Sequence, residues 1–190
     1  MTPGPAEAAD LEEAIYEVFR LNRLVDGLLT LVRADSARPA AGAVDAAAAV
    51  RERAANWDPL AAEQQVAIEV QAPGSAPVLA VEEALPQILD NLLANAQRFA
   101  PPGTTIWLTV EQEGDHTLLS VADEGPGIPK AERDRAFDRF WRAGGPADDD
   151  GFGLGLAIVQ RLVHASGGQV RLHERPGGGL LVTITLRNPT

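Results

Sequence analysis

The chain contains no cysteine. Disulfides and thiolate chemistry are therefore excluded, and a reducing compartment is the natural setting. Basic residues are also scarce: 16 Lys and Arg stand against 27 Asp and Glu, a formal net charge of −11. Without a basic surplus to release counterions, a nucleic-acid backbone is excluded as the main partner, and any phosphate must be bound locally. Long hydrophobic runs are missing too. None approaches the roughly 18 residues of a membrane span, and no basic-then-apolar signal pattern opens the sequence. The expectation is a soluble, cytoplasmic chain that makes no membrane contact. What is present, 190 residues with 45% hydrophobic content, suffices for one core and a small appendage. No internal repeat is visible.

Residues 11–33 place Leu11, Ile15, Val18, Asn22, Val25, Leu29 and Val32 at alternating steps of four and three. This is a heptad seam with one polar interruption. A second line through Leu21, Leu24, Leu28 and Leu31 widens the apolar face beyond that of a lone surface helix. Either partner helices cover it, as in a bundle, or it packs on its own domain. Residues 34–42 read as a linker broken by Pro39 and Gly42, followed by an Ala-rich helix at about 43–56. Residues 66–70, 104–112 and 117–123 alternate like strands, the last two joined by a Gly114-Asp115 turn. Helical periodicity covers 81–99 and about 154–166. Two further strands flank a turn at Pro176–Gly179. Strand pairs separated by helices predict an α+β fold: a two-layer sandwich in which helices cover one face of a mixed sheet.

Three stretches carry chemistry. In "GFGLGLAIVQ" (151–160), Gly151, Gly153 and Gly155 let main-chain N–H groups approach a ligand, and the helix that follows offers unpaired donors and a positive dipole end. That suits phosphate, although flexible loops are glycine-rich as well. The stretch lacks the Lys-Ser or Lys-Thr of a phosphate loop, and no strand leads into it as in a dinucleotide fingerprint. In "VADEGPGIPK" (121–130), Asp123 ends a strand ahead of Gly125 and Gly127. It either shapes a tight turn or accepts a hydrogen bond from an exocyclic amine such as that of adenine. In "DNLLANAQRF" (90–99), Asn91 and Asn95 share one helix face inside an apolar segment, with Arg98 a turn beyond. Paired amides either satisfy one another through water or complete a Mg²⁺ shell beside a phosphate.

Together and in this order, these stretches resemble the catalytic and ATP-binding domain of bacterial two-component sensor histidine kinases, within the Bergerat-fold ATPases that include DNA gyrase and the large heat-shock chaperones. "DNLLANAQRF" is similar to the family's asparagine box, "DEGPGIP" and "GFGLGLAIV" to its glycine boxes, and "RAFDRFWR" (135–142) to its phenylalanine box. "FRLNRLVDGLLTLVRAD" resembles the second helix of the dimerisation hairpin. The resemblance implies a partial dimerisation domain at 1–38 and an ATP-binding domain at 43–188, with ATP and Mg²⁺ as cofactors. Asn95, with help from Asn91, would hold Mg²⁺, Arg98 would meet the phosphates, and Asp123 would read the adenine amine. Phe137 and Phe140 would anchor a lid running from about Pro129 to Asp150, and Arg142 would swing toward the γ-phosphate. Asn95, Arg98 and Arg142 are thus the implied catalytic set, while Asn91, Phe99, Gly125, Gly127, Ile128, Gly151, Gly153, Leu154, Gly155 and Leu156 complete the nucleotide contacts. The implied partners are a phosphoacceptor hairpin, a response regulator and, in the parent protein, a second copy.

Departures from the family pattern sharpen the expectation. Leu180 and Leu181 stand where a hydroxyl residue often follows the last glycines, and Phe99 stands where Tyr is common. No histidine matches the phosphoacceptor, which sits on the first hairpin helix before an acidic residue; His116, His164 and His173 all fall inside the ATP-binding domain. The expectation is a kinase fragment that cannot phosphorylate itself alone. A gyrase-type ATPase needs a general-base carboxylate four residues before Asn95, and that position is Asn91. An anti-sigma-factor serine kinase usually lacks the long helix, and a non-catalytic nucleotide-binding module is the remaining alternative.

Overall fold

The computed structural model describes residues 41–81, 83–142 and 152–190. The expected helix at 11–33, most of the linker, Gly151 and the acidic run 148–150 lie outside the described residues. In chain order the elements are β1 (Ala41–Asp45), α1 (Ala46–Glu63), β2 (Ala67–Gln71), β3 (Pro77–Val81), α2 (Ala84–Phe99), β4 (Thr105–Glu113), β5 (His116–Ala122), α3 (Gly155–Ala165), β6 (Gln169–Glu174) and β7 (Leu180–Arg187). Single 3₁₀ turns at Lys130–Glu132 and Arg135–Phe137 precede α3.

Two strands escaped the sequence reading. β1 pairs antiparallel with β3, Ala41 opposite Val81 and Asp45 opposite Pro77, so residues 41–45 are neither linker nor helix. Asp45 ends the strand and starts the helix: its Oδ1 accepts from the N–H groups of Ala47 and Ala48 at 3.0 and 3.1 Å. This side-chain cap fixes the start of α1 at Ala46. The helix also runs further than expected, through Pro59 to Glu63. Its late turns are held from outside, by the full burial of Ala61 and by Trp57 Nε1 donating to Asp90 Oδ1 at 2.9 Å.

α2 forms where the periodicity placed it. Leu85, Ile88, Leu89, Leu92, Leu93 and Ala96, spaced three and one apart, are each at most 2% exposed. One helix face is therefore committed to the core. The main sheet has the order β2-β4-β5-β7-β6, with β2 and β4 parallel and every other pair antiparallel. Ile106, Leu108 and Val110 alternate inward on β4, and Val182, Ile184 and Leu186 do so on β7, against all three helices. Their neighbours on the opposite face stay partly exposed. The expected α+β sandwich, a mixed sheet covered by helices on one face, is the observed architecture.

Candidate functional site

The two glycine stretches converge on α2. A Cβ added to Gly155 would lie 3.4 Å from Asn91 Oδ1, and one added to Gly125 would lie 2.8 Å from the Phe99 carbonyl oxygen. Asn91 and Phe99 are eight residues apart, about 12 Å along the axis at 1.5 Å per residue. Asn95 lies midway between them. One helix face thus runs from the start of α3 to the loop after β5.

At the first end, Asn91 Nδ2 donates back to the Gln87 carbonyl at 2.8 Å, which leaves Oδ1 directed away from the helix backbone. Asn95 is half-buried, and its side chain makes no hydrogen bond among the described residues. Its amide is not among the buried unpartnered atoms of the described residues, so it is open to solvent and available to a ligand. Beside them, α3 begins at Leu154 with no side-chain cap and no acidic residue in its first turn. Its first N–H groups are open to an anion, and its dipole favours one. Amide oxygens, an uncapped helix start and a glycine in close contact make a donor set that suits phosphate and a hard cation together. Gly153 is locked in place, at φ +64 with a hypothetical Cβ 2.4 Å from the Trp141 carbonyl oxygen.

At the second end, Asp123 is 6% exposed. Its Oδ1 accepts from the N–H groups of Gly125 at 2.8 Å and Leu180 at 3.3 Å. Among the described residues Oδ2 accepts from none, so it is the oxygen left for a ligand donor. Burial pushes the carboxyl pKa up, opposed by the Gly125 and Leu180 N–H groups and by the charge of Arg175. Such a buried, under-donated carboxylate is typical of binding sites. Gly127 takes φ +70 with a hypothetical Cβ 2.8 Å from the Gly179 carbonyl oxygen, while Ile128 packs on the core. Any side chain at Gly127 would collide with the Gly179 main chain.

Of the remaining residues singled out in the sequence, Leu154 is buried and Leu156 half-buried against the core, so both support α3 from beneath. Arg98 is exposed, with its guanidinium 5.1 Å above the Phe99 ring. It also lines a cavity of about 440 Å³ with Glu63, Gln65 and Pro102, on the side where α1 ends. Arg142 is half-buried and is the last described residue before 152. Phe137 packs on the core as an anchor should, but the Phe140 ring is 59% exposed. Phe140 is held through its main chain instead, its N–H donating to the Gly153 carbonyl at 2.9 Å. His164 and His173 lie on the surface, and His116 is part-exposed beside Asp115. The sequence reading missed Arg175 and Glu124, whose side chains meet at 2.7 Å beside Asp123. Only the position of Glu124 next to Asp123 hinted at a role.

Comparison with known proteins agrees with the fold. The family of histidine kinase-, DNA gyrase B-, and HSP90-like ATPases matches residues 80–190. Sensor protein IrlS of Burkholderia pseudomallei is 37% identical over 171 residues, covering 87% of this chain and 36% of the relative. The sensor-like histidine kinase SenX3 of Mycolicibacterium smegmatis is 32% identical over 179 residues, covering 92% and 47%. The chain thus spans between about a third and a half of the length of these relatives. Among solved structures, full-length ShkA in complex with AMPPNP superposes with a TM-score of 0.82 at 30% identity, covering all of this chain and 41% of that one. The mycobacterial sensor histidine kinase MprB gives 0.69 at 29% identity, covering 79% and 99%. The chain belongs to the histidine kinase-, DNA gyrase B-, and HSP90-like ATPase family, and it resembles the ATP-binding catalytic domain of sensor histidine kinases.

Proposed function

We propose that ATP binds along α2, with its base at Asp123 and its phosphates between Asn91, Asn95 and the start of α3, and that its γ-phosphoryl group passes to a histidine on a kinase dimerisation hairpin. The observation that supports this most is the set of solvent-open acceptors without a protein donor, among the described residues, at opposite ends of one helix face: Asp123 Oδ2 at one, the Asn91 and Asn95 amide oxygens at the other. A purine amine and a metal-bound triphosphate are complementary to those ends.

Phosphoryl transfer asks a protein for position and charge neutralisation more than for covalent chemistry. Asn95 and Asn91 would hold Mg²⁺, which supplies charge neutralisation on the phosphate oxygens when bound. The α3 N–H groups would orient the β- and γ-phosphates, and Arg142 would balance the remaining charge, joined by Arg98 once it leaves its place over the Phe99 ring. Gly125 and Gly127 leave the base room to lie flat beside Asp123. Asn91, in the place where a hydrolytic ATPase needs a carboxylate, disfavours activation of water, so the phosphoryl group is kept for the imidazole. The acceptor histidine is then presented by a hairpin in trans or by a longer parent chain, and a cytoplasmic response regulator receives the phosphate in turn.

The test is transfer of labelled γ-phosphate from ATP to a purified histidine hairpin, with and without Mg²⁺. Wild-type protein is expected to label the hairpin only with Mg²⁺. Asn95→Ala is expected to fold normally, since its side chain bonds nothing, and to lose about 100-fold in transfer rate, the scale for removing one preorganised polar group from a reacting site. Equal transfer by Asn95→Ala would refute the metal assignment. ATP binding without any transfer would favour a non-catalytic nucleotide-binding module.

A further inference from the structure

Gly177, Gly178 and Gly179 take φ values of +94, +97 and +107 in the turn between β6 and β7. Three successive glycines in this region form a stretch with much conformational entropy to lose. Yet the turn must be placed closely, because a Cβ at Gly179 would lie 1.9 Å from the Asp123 carbonyl oxygen and Gly127 packs on Gly179 from the other side. The Leu180 N–H donates to Asp123 Oδ1. Leu180 and Leu181 carry no hydroxyl that could orient the carboxylate. Main-chain placement has to do it.

Arg175 supplies that placement. Its Nη1 donates to the carbonyls of Pro176 at 2.8 Å and Gly178 at 3.3 Å, both within the turn. Its Nη2 donates to Glu124 Oε1 at 2.7 Å, and the guanidinium carbon lies 4.4 Å from the centre of the Trp107 ring. The partners are fixed in turn: Glu124 Oε2 accepts from the Thr105 N–H at 3.0 Å, and Trp107 Nε1 donates to Glu69 Oε2 at 3.2 Å. The Arg175 side chain is 16% exposed, so these contacts are partly shielded from water. A planar fork with several donors and a stacking face can satisfy all of these groups at once, and a lysine cannot.

We propose that Arg175 is a positioning residue for nucleobase recognition, stapling the 176–179 turn to Glu124 and Trp107 so that Leu180 and Gly179 hold Asp123 ready for an adenine amine. The inference rests on the nucleotide reading above. It adds to it a residue that the base itself does not touch.

The experiment is calorimetric titration of the full chain with ATP and, separately, with inorganic tripolyphosphate, on wild type, Arg175→Met, Arg175→Lys and Glu124→Gln. Amide NMR spectra of the ligand-free proteins accompany it. Arg175→Met is expected to weaken ATP binding about tenfold, the scale of a lost charge-assisted hydrogen bond. Tripolyphosphate affinity should be unchanged, because the phosphate end lies elsewhere on α2. The Leu180 and Gly125 amide signals, whose N–H groups bind Asp123, should move without ligand. Arg175→Lys should recover part of the loss, and Glu124→Gln, which leaves the turn sequence intact, should show a smaller loss of the same kind. Should Arg175→Met unfold, Glu124→Gln carries the test. Wild-type affinity for ATP in Arg175→Met, or parallel loss of ATP and tripolyphosphate, would overturn the staple alone. A wild-type protein with no preference for ATP over tripolyphosphate would overturn the nucleotide reading and the staple with it.

Discussion

Asp45 and Asp123 each stand at the end of a strand, and each carboxylate is held by main-chain N–H groups, yet they are built for opposite ends. Asp45 Oδ1 accepts from Ala47, Ala48 and Ala76, and its Oδ2 accepts from Ser75 Oγ at 2.6 Å. The Ser75 hydroxyl and the Ala76 N–H lead the groups that pull its pKa down. Asp123 has two donors, both on Oδ1, in a site whose burial pushes its pKa up. A structural carboxylate receives as many donors as it can use. One that awaits a ligand is left with an oxygen that no described protein group donates to and that solvent reaches.

The largest break in this comparison comes from Gly179→Ala. At φ +107 and with its Cβ directed onto the Asp123 carbonyl, the alanine is expected to cost at least about 3 kcal/mol and to abolish ATP binding, read by thermal denaturation and calorimetry. Asp123→Asn separates function from fold. Its amide oxygen can still accept from Gly125 and Leu180, and the burial cost of the charge disappears, so the melting temperature should hold or rise. Affinity for ATP should fall about 100-fold, because Oδ2 is replaced by a donor facing a donor. Unchanged affinity would remove Asp123 from the base site. Asp45→Ala should do the reverse, costing about 1–2 kcal/mol of stability through the lost cap while leaving ATP affinity as it was.

Much of the site was legible because its residues are close in sequence or obey a period. Asn91, Asn95 and the buried leucines of α2 declare an apolar helix face interrupted by two amides, and Asp123 with Gly125 and Gly127 lies within five positions. β1 and β3 were not legible. In "AGAVD" only Val44 favours a strand, and the alanines that follow extend a helical pattern back across it; the strand exists because β3 pairs with it from beyond α1. The end of α1 was hidden for a similar reason, since Pro59 argues against a helix that Trp57 and Asp90 hold from outside. Arg175 was invisible because its partner Glu124 lies 51 residues away. No periodicity connects a turn arginine to a glutamate at another strand's end.

The smallest effect is in the pH dependence of stability, where the two carboxylates should differ in sign. Asp45 has a folded pKa below the ordinary carboxylate value of about 3.9, so its contribution is fully present above that value and is lost as pH falls from there through the folded pKa. Asp123 has a folded pKa above the ordinary value, so its ionised form opposes folding at neutral pH. Protonation relieves that cost as pH falls from the folded pKa toward 3.9. Urea denaturation of wild type, Asp45→Asn and Asp123→Asn across this range isolates the two terms, since all other carboxylates are common to the three proteins. The advantage of wild type over Asp45→Asn should shrink only at the acid end. The deficit of wild type against Asp123→Asn should shrink earlier, at pH values above the ordinary carboxylate range, and ATP affinity should decline over that same interval. If both differences faded over one window, burial would not be raising the Asp123 pKa, and the contrast between the two carboxylates would fail.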